Sequence, residues 1–213
     1  MILEGVEFQM LGYDARRMDP DWRNQRSGCG WDSFLIRTDI ECPLSTDDAV
    51  WDFALDWHDP KVVKPDWTGP FQHLWENLAD MEVALTRHKS LTSQPYWVIG
   101  VARARNESIE NRGTSEGPYT HFTNDQVSPA SPAENWTLLG YDVSDYSQLS
   151  GLMNCGYDES DRDRMEYFAP KLNPFHLFSV LSVAEECRGW MDKRVQEHAP
   201  FFVYALFKIR EEA

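Results

Sequence analysis

The tetrapeptide LGYD stands twice in the chain, at Leu11–Asp14 and at Leu139–Asp142, and each copy is followed by Cys-Gly, an aromatic residue and an aspartate (Cys29–Asp32 and Cys155–Asp158). A repeat constrains the fold more than composition does, because each copy is expected to build the same supersecondary unit and to bury its apolar face on a neighbour. The correspondence runs further. PFQHLWENL (Pro70–Leu78) is answered by PFHLFSVL (Pro174–Leu181) with one residue fewer before His-Leu, and PYWVIGVARAR (Pro95–Arg105) by PFFVYALFKIR (Pro200–Arg210) without a gap. Four blocks in one order predict an internal duplication, with repeat one at about 6–105, a connection at 106–135 and repeat two at about 136–210.

Each block reads as a local element. VEFQMLGYD and NWTLLGYD are short, apolar and aromatic and end at a glycine-containing segment, which predicts strands. YWVIGVARAR and FFVYALFKIR are rich in β-branched and aromatic residues, and their late alternation with Arg or Lys predicts strands with one solvated face. After Pro70, Leu74, Leu78, Met81 and Leu85 recur at helical spacing, as Leu177, Leu181, Ala184 and Cys187 do after Pro174. Asn173 with Pro174 behind it reads as an N-cap and first helical residue.

The unit is therefore strand, loop, helix, strand. The expected fold is a single α+β domain over 1–213, in which an internally duplicated β-α-β unit forms one pseudo-symmetric sheet covered by helices. With 42% hydrophobic residues and nine Trp, the chain has ample material for a core. The connection, rich in Asn, Ser, Thr, Gly and Pro, reads as a long loop, with SPASPAE as its most linker-like piece.

The copies differ where the first carries an insertion, 33–69, predicted to contain a helix in STDDAVWDFALDWHD (Ser45–Asp59). Ser45 or Thr46 suits its cap, and Asp47 and Asp48 suit its first turn. Asp48, Asp52 and Asp56 then follow at spacings of four, a pattern of like charges that repel, with Asp59 beyond. From Asp39 to Asp59 there are seven acidic residues and no Lys or Arg, interleaved with Trp51, Phe53, Leu55 and Trp57. Such a stripe serves either as a solvated face backed by an aromatic core or as a docking surface for a basic protein with tryptophan anchors. The candidate partner-binding set is Asp47, Asp48, Trp51, Asp52, Asp56, Trp57 and Asp59.

The net charge of −15 argues against phosphate-mediated nucleic-acid binding and against an anionic membrane surface. It suits a basic protein partner or solubility alone. The opening MILEGVEFQML has no basic n-region, no apolar run reaches membrane-spanning length, and a cytoplasmic protein is expected. The cysteines Cys29, Cys42, Cys155 and Cys187 show no zinc spacing and read as free thiols. The acidic run around DESDRD (Asp158–Asp163) lacks the glycine and the terminal glutamate of a calcium loop. No metal or cofactor is expected.

The duplicated positions do include reactive types: Asp14 and Asp142, Cys29 and Cys155, Asp32 and Asp158, His73 and His176. Cys, His and Asp are what a thiol hydrolase or transferase uses for attack, proton transfer and orientation. The same residues have a structural reading, in which Gly30 and Gly156 turn the chain, each cysteine packs as a small apolar residue and each aspartate bonds nearby amides. With no glycine-rich phosphate loop, GxSxG or HExxH, the leading expectation is a non-enzymatic acidic protein that neutralises or holds a basic partner, as immunity proteins hold basic toxins. Enzymatic use of one Cys/His/Asp set is the alternative. A structural or assembly component of a phage or secretion apparatus is a second.

Overall fold

The structure, a computed structural model, describes residues 1–16, 77–87, 96–105, 135–144, 159–173, 175, 177–196 and 199–212. The fold is α+β. Among the described residues the strands are β1 (Ile2–Leu3), β2 (Val6–Arg16), β3 (Tyr96–Ala104), β4 (Thr137–Ser144) and β5 (Phe202–Glu212), and the α-helices are α1 (Leu78–Arg87), α2 (Arg162–Phe168) and α3 (Leu181–Arg194). The strands form one antiparallel sheet in the order β1-β2-β3-β5-β4. All four strands expected from the repeated blocks are present, and both closing blocks lie at the centre of the sheet.

The register of the outer pairs is the same in both halves. In β2–β3, Met10 opposes Ala102, Tyr13 opposes Gly100, and the ladder shifts between Met10 and Gly12. In β4–β5, Leu138 opposes Phe207, Tyr141 opposes Ala205, and the ladder shifts between Leu138 and Gly140. Leu11 and Leu139, the leucines of the two LGYD copies, are thus the extra residues of two irregularities at matched places. The centre is symmetric too. Val101 opposes Leu206, flanked by Gly100↔Phe207 and Ala102↔Ala205, then by Ile99↔Lys208 and Arg103↔Tyr204. The symmetry ends at a register shift between Val98 and Ile99.

Both faces of the sheet are buried, which corrects the expectation of one solvated face. Period-two alternation sends Val98, Ala102, Val203, Ala205 and Phe207 to one core and Ile99, Val101, Phe202, Tyr204 and Leu206 to another. The first core is shared with the helices through Met81 of α1, Met165 and Phe168 of α2, and Leu181, Ala184, Cys187 and Met191 of α3. Helix α3 packs on β4 and β5, and α1 packs on β2. The second core holds Leu11 and Leu139, so the irregularity in each LGYD places the leucine on this face while the tyrosine two residues later joins the other.

The two longer helices start at matched leucines, Leu78 and Leu181, but their caps differ. Asn77 Oδ1 accepts the amide of Ala79 at 2.9 Å, an ordinary N-cap. The matched position before α3 is Val180, which makes no side-chain cap, and the first turn of α3 holds no acidic residue.

Asn173 does not start a helix, contrary to the sequence expectation. Its Oδ1 accepts the amides of Phe175 at 2.8 Å and Leu177 at 3.2 Å, and its Nδ2 donates to the carbonyl of Leu139 at 2.7 Å. Phe178 then exchanges backbone hydrogen bonds with Tyr141, both 2.8 Å. The competing side-chain bonds favour a turn held against the edge of β4, and the helix begins only at Leu181.

Candidate functional site

The candidate docking and catalytic residues lie outside the described residues. This holds for the partner-binding candidates Asp47, Asp48, Trp51, Asp52, Asp56, Trp57 and Asp59, for Cys29, Asp32 and His73, and for Cys155, Asp158 and His176. The described residues carry 15 Asp and Glu against 12 Lys and Arg. Much of their charge is paired. Arg188 bonds Glu185 at 2.7 Å and Asp192 at 2.9 Å, Arg194 bonds the buried Asp161 at 2.7 Å, and Arg210 bonds Glu82. Asp161, in the acidic DESDRD run, leads into α2 as an ion-pair partner of α3.

The second face of the sheet carries a polar arrangement built on the same symmetry as the backbone. The guanidinium of Arg103 lies 4.8 Å from the ring centroid of Phe202, and the ammonium of Lys208 lies 4.5 Å from that of Trp97. Arg103 matches Lys208 and Trp97 matches Phe202 in the aligned closing blocks, so each central strand sets a cation over the other's aromatic ring. The two differ in burial. Arg103 is 6% exposed, whereas the Lys208 side chain is 30% exposed and also bonds Glu211 at 2.8 Å. That contact, led by the hydrogen bond from Lys208, holds the Glu211 carboxyl below its ordinary value.

The acidic residues of the two LGYD copies fall in register with these pairs. Asp142 opposes Tyr204, which opposes Arg103, giving a row across β4, β5 and β3; Asp14 opposes Ile99, which opposes Lys208, giving its counterpart across β2, β3 and β5. Asp142 is 1% exposed and accepts the Val143 amide at 2.8 Å and the Ser144 hydroxyl at 2.9 Å. These bonds satisfy a carboxylate that burial alone would disfavour.

Cys187 is fully buried in α3, and burial, followed by the nearby charges of Asp142 and Glu186, pushes its thiol well above the ordinary value. That shift disfavours the thiolate needed for attack. No group of three or more His, Cys, Asp or Glu among the described residues is placed to hold a metal, and no helix among them is long and apolar enough to cross a membrane.

The crossed cation–ring pairs were absent from the sequence reading, although the signal was present. Laying PYWVIGVARAR on PFFVYALFKIR puts an aromatic at 97 and 202 and a cation at 103 and 208. Compared with known proteins, the chain matches no family model, no curated protein and no solved structure.

Proposed function

We propose that the chain is a non-enzymatic, acidic binding protein of the cytoplasm that neutralises or holds a basic protein partner, in the manner of immunity proteins against basic toxins. The observation that supports this reading is the concentration of negative charge in one stretch of a chain whose net charge is −15. Seven acidic residues fall between Asp39 and Asp59 without a Lys or Arg. Desolvated acidic side chains beside tryptophan anchors suit a cationic surface, so the docking set is Asp47, Asp48, Trp51, Asp52, Asp56, Trp57 and Asp59.

The scaffold in this proposal is an internal duplication, with repeat one at about 6–105, repeat two at about 136–210 and the acidic segment belonging to an insertion, 33–69, that only the first carries. The support is the shared register of β2–β3 and β4–β5, the matched irregularities at Leu11 and Leu139, and the matched helix starts at Leu78 and Leu181. An addition that the second repeat lacks is free to serve binding.

The test is capture from host extract at low and moderate salt, with the wild type beside the triple variant Asp48→Asn, Asp52→Asn, Asp56→Asn. The proposal requires a basic protein retained by the wild type and lost both in salt and with the variant. A partner retained equally by both proteins would move the docking site elsewhere. If nothing specific is captured, alkylation of Cys29 and Cys155 at neutral pH tests the thiol-enzyme alternative directly.

A further inference from the structure

The turn between β1 and β2 does more than reverse the chain. Leu3 opposes Val6, so Glu4 and Gly5 form a two-residue loop, with φ of 47° and 84°. That conformation is unfavourable for a residue with a side chain, and glutamate is not among the usual choices. Its carboxylate is engaged across the molecule. Glu4 accepts the Leu181 amide at 3.2 and 3.3 Å through its two oxygens, and the Tyr141 hydroxyl at 3.1 Å. Leu181 is the first residue of α3, the helix whose own cap position is Val180. The loop is held in place from behind, since the Met1 ammonium donates to the Phe8 carbonyl at 2.9 Å and the Phe8 amide donates to the Met1 carbonyl at 2.7 Å.

We propose that residues Met1–Gly5 are a clasp, in which Glu4 caps α3 from 177 positions away and fastens the leading hairpin to the C-terminal half of the molecule. Helix α1 carries its own cap in Asn77, while α3 has Val180 at the matched place and takes a carboxylate from the hairpin instead. The anion sits where the positive end of the helix dipole favours it. Tyr141, bonded to the same carboxylate and packed on Phe8 at 5.9 Å between ring centroids, ties the clasp to the sheet. Release of Glu4 is therefore a local event. It frays the start of α3 and frees the Tyr141 hydroxyl while the β3–β5 ladder stays closed.

Amide exchange read residue by residue, with a titration of Tyr141 followed on a ring-labelled sample, tests the clasp. In Glu4→Ala the amides of Leu181, Val183 and Ala184 should exchange about fivefold faster, the worth of an ordinary cap, while the amides of β3 and β5 hold their wild-type rates. In Glu4→Gln, which keeps an acceptor oxygen without the charge, those amides should stay within about twofold of wild type, and Tyr141 should titrate at lower pH than in the wild type. Asn77→Ala serves as the control and should accelerate the start of α1 alone. The proposal is overturned if Glu4→Ala leaves the Leu181 amide at its wild-type rate. Equal acceleration of α3 and of the β3–β5 ladder also overturns it, since that marks a global loss of stability.

Discussion

Val101 and Leu206 stand opposite each other at the centre of the sheet, and each is the other's counterpart when the two closing blocks are aligned. The neighbouring pairs keep the same reciprocal correspondence on both sides, as far as the register shift between Val98 and Ile99. The crossed contacts of Arg103 with Phe202 and Lys208 with Trp97 follow the same correspondence. The two contacts share a geometry but not a setting, since one cation is buried and the other is partly exposed.

The glycine of the second LGYD is needed for space as well as for conformation. Gly140 has φ +151°, and a Cβ there would lie 2.7 Å from Leu177 Cβ and 2.9 Å from the Phe178 carbonyl oxygen. Backbone and a buried leucine cannot both retreat, so Gly140→Ala should cost about 3 kcal/mol in urea unfolding. Gly5→Ala, with φ +84° and nothing within 4 Å, should cost only the backbone term, about 1 kcal/mol. Equal costs would contradict the packing argument.

The two cation–ring contacts should differ in worth despite their shared geometry. Arg103→Gln removes a buried guanidinium from over Phe202 and should destabilise by about 2 kcal/mol. Lys208→Gln acts at a partly exposed side chain and should cost less than about 1 kcal/mol. Thermal or urea unfolding of the two variants checks the order.

Cys187 should be inert in the native protein. Burial raises its pKa, so the thiolate is scarce at neutral pH and the sulfur is inaccessible. Peptide mapping after iodoacetamide treatment should find Cys187 unmodified in buffer and modified in denaturant. Native labelling would contradict the packing of α3.

Stability should fall on the alkaline side. Burial raises the pKa of Tyr13, and burial followed by the hydrogen bond and charge of Glu4 raises that of Tyr141, both from an ordinary 10.0. The folded state then holds these protons more tightly than the unfolded state. The stability they contribute is complete below pH 10.0 and declines as pH rises through the raised folded values. Urea midpoints between pH 8 and 11, roughly spanning the ordinary tyrosine range, should decline at the upper end, and Tyr141→Phe should reduce that decline.

The strands were legible because apolar, aromatic and β-branched residues are concentrated in the four strand segments, and the equivalence of β3 and β5 was legible because the two closing blocks align without a gap. What the sequence hid was non-local. Burial of Arg103 depends on which strand becomes its neighbour, and the alternation that suggested a solvated face belongs to a sheet with two cores. The α3 helix starts later than the local pattern at Asn173 suggests because Asn173, a good cap in isolation, spends its side chain on Phe175, Leu177 and Leu139. The cap that α3 does have comes from Glu4, which no local pattern connects to Leu181. The acidic and Cys/His/Asp candidates all fall outside the described residues.

The most direct measurement of the proposed function is the association rate with the captured basic partner as ionic strength is varied, for the wild type and for the Asp48/Asp52/Asp56→Asn variant. Electrostatic docking predicts a wild-type rate that falls steeply with salt and a slower, flatter response in the variant. Identical rates with no salt dependence in either protein would contradict an acidic docking surface.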